Sequence, residues 1–598
     1  MEKTAFILAV LAGIIFSNVC CTVQNDTLQK PETQIVMPTS ASSYGAYLAG
    51  RMAHIRHDLN TAADYYILAA EKTPAKQMLP SQLYIMLTSQ GRVDEAVKYA
   101  DQALANKDSS PFIYTVKAVY HAKKRLYDEA LKDIAACDND FSREVFAPLV
   151  GAWIYAGQND YDKAIKSLDR LLKNDGFRAM YLFHAGAISD YLGKNAEADK
   201  YYSLLEGMRN MELSVFPTQV IANFYLRTGN QQKLARTIAL SGNENNVIMK
   251  KIVADIQKSD SSVQPILTDA SIGISDALFG IALILQQEST AEEIAMLFAS
   301  LSDYINPQSD LPKILLGSIL ESKELYEEAN QIYEKITPEQ YSYYSARFQI
   351  GKNNTSLERY QTAEKIFREL LKSHQPTPDI YTNLGEVMRL TGRFKDAAIY
   401  YGKALEYYPE KQQRKMWPVL FTQGISYDEI GEHDKAEEIF RKVHKMHPSK
   451  TTKNHLGYTL LKNNKNIEEA FDLIAQAYKY GPKDGSVVDS MGWALYLIGR
   501  YDEAIVYLEK ASDLSPSEAL IYDHLGDAYW EAGRKGEAIF QWNHAVSLKD
   551  HSGEIDKDAV LQKIENGKSP HQPLAYDKEA IEKILAHVKK PQKNQSDF

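Results

Sequence analysis

Apolar residues recur along this chain at helical spacing in short blocks, and the blocks themselves recur with a fixed longer period. Gly492 and Gly526 are 34 residues apart, as are Ala504 and Ala538, and Ala511 and Ala545. One stretch reads DSMGWALYLIGRYDEAIVYLEKASDLSP (Asp489 to Pro516), the next DHLGDAYWEAGRKGEAIFQWNHAVSL (Asp523 to Leu548). Within each, the apolar positions follow i, i+3, i+4 spacing on either side of a Gly, which predicts two antiparallel helices joined by a tight turn. Gly392, Gly431, Gly499 and Gly533 precede the second helix and suit a left-handed turn. Gly457, Gly492 and Gly526, at the eighth position, let the two helices approach closely. The Pro near position 32 (Pro409, Pro448, Pro482, Pro516) stops the second helix.

A period of 34 with Leu-Gly, Tyr or Leu, Gly, Ala and Ala at set offsets is the signature of the tetratricopeptide repeat. Toward the N-terminus the period persists with small slips. Gly317, Gly351 and Gly385 are again 34 apart, and Gly280, Gly424 and Gly457 fall in the same slot at spacings between 33 and 39. Earlier, Ala49, Tyr84, Ala118, Gly151 and Gly186 take the eighth position. Leu213 to Ser241 forms a degenerate unit around Tyr225 and Gly229. The expected architecture is all-α: a right-handed superhelical solenoid of about thirteen helix-turn-helix units, each burying its apolar faces only by stacking on its neighbours.

The array is interrupted at Ser241–Ser271, where GNENN and KSDSSVQP are rich in loop formers. Residues 241–272 are therefore expected to be a joint or a distorted repeat between an N-terminal array (42–240) and a C-terminal array (273–550). Residues 551–598 are expected to hold one short capping helix, a break at Pro570–Pro573, a last helix over 577–590 with Ile581, Ile584, Leu585 and Val588 on one stripe, and a polar end.

The N-terminus bears on the compartment. Ala5 to Phe16 is an unbroken run of small and apolar residues, followed by Ser17-Asn18 and Cys20-Cys21. This layout is that of a secretory signal peptide over residues 1–21, too short for a membrane span, with 22–41 a polar tether. Two outcomes fit the cysteine pair. Cys20 is acylated, anchoring a lipoprotein in the outer membrane, or the signal is cleaved without lipid and the protein is free in the periplasm. Val19 and Ser17 depart from the usual lipoprotein pattern, while Cys21 behind Cys20 places no Asp where it would argue for inner-membrane retention.

A net charge of −10, with charges of both signs interspersed, speaks against a nucleic-acid binder. No His-Glu-x-x-His, Gly-x-Ser-x-Gly, phosphate-binding loop or clustered Cys/His spacing is present, so no catalytic residue, cofactor or metal is expected. His444 and His447 lie one turn apart but lack a third ligand. Cys137 replaces the usual Ala at position 27 and is expected to pack. Asp94-Glu95, Asp128-Glu129 and Asp502-Glu503 open second helices, where they complement the helix dipole. Trp542 and the Tyr-Tyr pairs (Tyr65-Tyr66, Tyr201-Tyr202, Tyr400-Tyr401) put aromatics at position 24, a core slot.

Positions 5, 9 and 12 of the first helix line the concave face in such repeats. Those residues are Asn454, Tyr458 and Leu461, then Asp489, Trp493 and Tyr496, then Asp523, Asp527 and Trp530. Aromatics beside carboxylates supply the apolar anchors and orienting groups of a protein-binding groove. The competing explanation is that Asp489 and Asp523 bond between repeats and the tryptophans pack under the C-terminal tail.

The segments HLGYTLLKNNKNIEEAFDLI, VVDSMGWALYLIGRYDEAIVYLEKA and IYDHLGDAYWEAGRKGEAIFQWNHA closely resemble the C-terminal signature of a family of proteobacterial envelope tetratricopeptide proteins. ALFGIALIL (Ala277–Leu285), LLGSILESKELYEEA (Leu315–Ala329) and YYSARFQIGKN (Tyr343–Asn353) are similar to its alphaproteobacterial branch. The resemblance implies an exported, non-enzymatic scaffold that binds envelope proteins, with adaptor service to a processing protease of cell-wall hydrolases as one implied role. A carbohydrate-binding subunit of a polymer export machine is the alternative, since groove tryptophans and 38 tyrosines also suit sugar stacking.

Overall fold

The structure is a computed structural model that describes residues 42–56, 58–72, 79–107, 112–209, 211–241, 254–255, 263–288, 291–373, 376–408, 416–548 and 555–588. The expected signal peptide, its cysteines Cys20 and Cys21, the tether 22–41 and most of the 241–272 joint lie outside them. Among the described residues every regular element is helical, in line with the expected fold class. The contacts divide the chain into two compact units, Met1–Asn353 and Asn354–Phe598.

In both units consecutive helices form antiparallel pairs, and the physical basis is the one the period implies. Gly526 lies so close to the second helix of its pair that a Cβ there would fall 2.5 Å from the Trp542 indole and 3.1 Å from the Ala538 carbonyl oxygen. A Cβ at Gly492 would meet Leu508 at 2.7 Å. The turn glycines Gly392, Gly431, Gly499 and Gly533 have φ between +70° and +80°, the left-handed region that L side chains resist. Trp542 is fully buried. Cys137 is buried at a helix C-terminus, and burial pushes its thiol up to about 11.

The first unit contains the helix pairs from Ser43–Ile55 with Leu59–Lys72 through Leu311–Ser322 with Tyr326–Tyr333. The degenerate stretch forms a pair like its neighbours, Val215–Arg227 with Gln231–Leu240. The next described pair, Ala270–Gln286 with Glu292–Ile305, packs back across the first helices of four earlier pairs: Leu79–Ser89, Ile113–Lys123, Ala147–Gly157 and Arg178–Tyr191. Gly273 faces Trp153 so closely that a Cβ there would lie 2.1 Å from the indole. Phe298, fully buried, meets Phe112, Phe141 and Phe146 edge-on, with centroids 5.8 to 6.3 Å apart. The Ser300 hydroxyl donates to the Ser89 carbonyl at 2.9 Å. Arg125 pairs with Asp269 at 2.7 Å.

The compact units therefore do not part at 241–272, where the loop-rich composition suggested a joint. Helices on both sides of that stretch share one core. A Cβ at Gly280, assigned to the close-approach slot, would meet only the Met180 methyl, at 3.6 Å; Gly273 makes the close approach instead. Helix Ala270–Gln286 is apolar around most of its circumference because it is covered by its own partner helix on one side and by the earlier pairs on the other.

The second unit holds helix Tyr360–Ser373 and then the pairs from Pro378–Leu390 with Phe394–Glu406 to Ala519–Glu531 with Lys535–Ser547. Its core gathers Phe440, Leu456, Leu460, Phe471, Ile474, Met491, Leu495, Leu508, Leu525 and Trp542, and it includes Val560, Ile581 and Leu585 from beyond the last repeat. Those three belong to Lys557–Asn566 and Lys578–Val588. The capping helix and the last helix both dock on the array.

Candidate functional site

The face that sequence assigned to a binding groove is formed by the first helices Gly485–Leu497 and Ala519–Glu531. Asp523 and Asp527 lie four residues apart and so project from the same side of their helix, with Trp530 one turn on. Tyr496 projects from the preceding repeat. A segment of the chain itself, residues 563–574, crosses this face.

Two lysines of that segment meet the carboxylates. Lys563 Nζ lies 2.7 Å from Asp523 and 2.9 Å from Asp527. Lys568 Nζ donates to the other Asp527 oxygen and to the Tyr496 hydroxyl, with its charge over the Tyr496 ring at 4.7 Å. Asp527 also accepts the Trp542 indole N–H at 3.2 Å. Burial raises the Asp523 carboxyl above its ordinary value, helped by the Asp527 charge, and Lys563 works against both. Burial pulls on the Lys563 ammonium in the opposite sense, yet the two carboxylates hold it above its usual range. Each charge is thus stabilised by partners on the other chain segment, as buried charges must be.

Backbone contacts seat the segment between these charges. Trp530 donates its indole N–H to the Lys568 carbonyl at 3.0 Å. Gly567, at φ +76°, lies flat against the Trp530 ring, where a Cβ would fall 2.6 Å from the indole. The His571 N–H donates to Glu531 at 2.8 Å, and Leu574 N–H donates to the Leu497 carbonyl at 2.8 Å. His571 stacks on Tyr496 at 4.5 Å and hydrogen-bonds the Tyr501 hydroxyl at 3.1 Å. It continues a run of stacked ring pairs: Tyr496 on Trp493 at 4.6 Å and Trp493 on His524 at 3.9 Å.

The remaining sequence-assigned residues are placed differently. Asp489 is buried, and both of its oxygens lie within hydrogen-bond distance of His524 Nδ1, at 3.0 and 3.1 Å, so it ties one repeat to the next. Asn454 is buried and donates to Ser490 at 3.0 Å. Tyr458 is half-buried with Lys462 5.1 Å over its ring. The expected open face of aromatics and carboxylates is therefore covered. Tyr496, Asp523, Asp527 and Trp530 meet at the tail; Trp493 backs them through its stack; Asp489, Asn454 and Tyr458 do not reach it. Lys563, Lys568, His571 and His524 were not assigned from sequence. Their signal is Lys563 and Lys568 spaced five apart, just beyond an array whose last first-helix carries carboxylates four apart.

His444 and His447 have separate partners: His444 lies 3.1 Å from the Thr452 hydroxyl, and His447 stacks on Trp417 at 4.2 Å. Among the described residues no group of three His, Cys, Asp or Glu side chains could hold a metal ion, and no helix is long and apolar enough to cross a membrane.

Family models of the tetratricopeptide repeat match residues 345–410, 492–533, 151–175 and 419–449, so the chain carries tetratricopeptide repeats in both compact units. It is similar to the TPR repeat-containing protein PA4667 of Pseudomonas aeruginosa, 29% identical over 143 residues; the match spans 23% of this chain and 23% of that relative. Among solved structures, a tetratricopeptide repeat protein from Parabacteroides merdae aligns over 46% of this chain and 98% of its own at 16% identity and a TM-score of 0.35. Cut9 of an APC/C Cut9–Hcn1 hetero-tetramer aligns over 88% of this chain and 97% of its own at 14% identity and a TM-score of 0.34. At such scores the two structures carry no conclusion about function.

Proposed function

We propose that this protein is a non-enzymatic scaffold of the bacterial cell envelope that holds protein partners on the first-helix face of its C-terminal repeats. The observation that supports this most is the seat of residues 563–574: the face bonds both the side chains and the backbone of a polypeptide segment. Tetratricopeptide repeats supply the stacked first helices such a face needs. The envelope placement follows from the apolar run Ala5–Phe16, the cysteines Cys20-Cys21 and the resemblance of the C-terminal repeats to exported repeat proteins. A periplasmic protease or a cell-wall enzyme is the kind of partner this placement supplies, and acylation at Cys20 would hold the scaffold at the outer membrane.

The test is affinity capture from an envelope fraction with the full mature chain and with a Trp493→Ala/Trp530→Ala variant of unchanged helical content. A protein retained by the first and lost by the second supports the scaffold. Retention of the same proteins by both contradicts the assignment of the face, and retention of glycan in place of protein contradicts a protein-binding role.

A further inference from the structure

We infer that residues 563–574, the last turn of the capping helix and the irregular stretch after it, are an exchangeable internal ligand, and that the external ligand of this face is a basic polypeptide segment that repeats their chemistry. That chemistry is two lysines five residues apart, then a ring residue three further on and a proline two beyond it. The inference rests on the scaffold role proposed above and names the class of partner and its regulation.

Three features of the seat support exchange. First, the segment is anchored most firmly at its flanks. Val560, Ile581 and Leu585 are buried, whereas between Val560 and Ile581 no described side chain is fully buried and Ile564, Leu574 and Tyr576 pack only partly against the core. Lifting the chain between these anchors uncovers no fully buried side chain of its own. Second, what binds it is a set of specific polar contacts. Asp523 and Asp527 take two ammonium groups, Trp530 takes a backbone carbonyl, and Tyr496 takes a ring. An acidic pair with one indole donor selects a cationic peptide and repels an acidic one. Third, the groups that receive the segment are buried beneath it: Tyr496 is 1% exposed and Asp527 4% exposed. Stripped of cover, Asp527 would keep the Trp542 indole N–H and trade its two ammonium partners for water, and a segment of the same chemistry restores them.

A tethered ligand competes at an effective concentration of roughly millimolar. It therefore weakens the apparent affinity of any outside segment and rejects those that make only some of the contacts. The tail acts as a filter on partner choice.

The experiment is fluorescence anisotropy of a labelled synthetic peptide with the sequence of residues 560–577, titrated with the full chain. Four proteins are compared: the wild type, Lys563→Gln/Lys568→Gln with a loosened tail, that double variant with Asp523→Asn/Asp527→Asn added, and Lys563→Arg/Lys568→Arg with the tail charge kept. The peptide is expected to bind the loosened variant at least about tenfold more tightly than the wild type or the arginine variant, and to lose binding when the aspartates are replaced. A peptide with both lysines changed to glutamine is expected not to bind the loosened variant, which tests the same contact without altering the array. Equal affinity for wild type and loosened variant, binding indifferent to the aspartates, or no binding to the loosened variant would each overturn the inference. If the peptide fails to exchange while an envelope protein is still captured through Trp493 and Trp530, the ligand class falls and the scaffold stands. If the peptide exchanges and no envelope protein is captured, the scaffold falls.

Discussion

Trp530 donates its indole N–H to the backbone carbonyl of Lys568, across 38 residues of sequence and 3.0 Å of space. The bond is one of three by which the array grips the backbone of the crossing segment, with those to the N–H groups of His571 and Leu574. Trp530→Phe keeps an aromatic ring at this position but removes the donor, together with the part of the indole that lies against Gly567. It should cost about 1 kcal/mol and raise local opening of residues 566–574 roughly fivefold, measured as faster amide exchange there with the helical spectrum unchanged.

Gly526 and Gly536 lie in adjacent helices and should respond oppositely to alanine. A Cβ at Gly526 strikes the Trp542 indole and the Ala538 carbonyl, so Gly526→Ala should destabilise the second unit by about 1–3 kcal/mol through overpacking. Nothing lies within 4 Å of a Cβ at Gly536. Gly536, in the first turn of its helix at negative φ, should gain roughly 0.4–1 kcal/mol of stability on replacement by alanine, because alanine restricts the unfolded chain. Thermal melts of the two variants check the sign.

Phe298 tests the fold-back of helices Ala270–Gln286 and Glu292–Ile305 in the first unit. Its ring is enclosed by Phe112, Phe141 and Phe146 from helix pairs far earlier in the chain. Phe298→Ala should cost about 3–5 kcal/mol and lower the first unit's melting temperature. A change near zero would mean that these helices do not pack there.

The same fold-back predicts a pH dependence. His184 Nδ1 accepts the Trp153 indole N–H at 3.1 Å, which leaves Nε2 protonated, 4.0 Å from Asp276. Burial pulls this imidazole down to about 3 and pushes the Asp276 carboxyl up to about 7. A raised carboxyl contributes stability that is complete below its unfolded value, about 3.9, and is lost as pH rises through the folded value of about 7. The depressed imidazole works in the other direction: its contribution is complete above about 6.5 and is lost as pH falls toward 3. Asp276→Asn isolates the first effect. The melting temperature of the variant minus that of the wild type should rise from pH 5 to about pH 7 and level off above it; a constant difference would contradict the placement of Asp276.

Much of the fold was legible because the repeat encodes it locally. Gly492 and Gly526 marked close helix contacts, Gly499 and Gly533 marked left-handed turns, and Trp542 marked a core slot. Each of these follows from residues within one 34-residue unit. What was not legible is the cover on the first-helix faces. Periodicity tells which side of a helix is apolar or carries paired carboxylates, but not what lies on it. The contact of Gly273 with Trp153 and that of Lys563 with Asp523 join residues 120 and 40 apart with no shared period. The apolar circumference of Ala270–Gln286 was the available sign of cover on two sides, and the lysine spacing at 563 and 568 the sign of a seat for the tail. Asp489 shows the other limit. Its position in the repeat is that of a ligand-facing residue, and only the imidazole of His524 at the next repeat's sixth position turns it inward.

Amide hydrogen exchange on the full chain, followed across residues 560–588, tests the central claim most directly. With the segment seated, Leu574, whose N–H is held by the Leu497 carbonyl, and His571, held by Glu531, should exchange far more slowly than in the free 560–577 peptide, and Lys563→Gln/Lys568→Gln should remove that protection while Ile581 and Leu585 keep theirs. Exchange at Leu574 and His571 as fast as in the free peptide would show that the face is open, and would contradict the account.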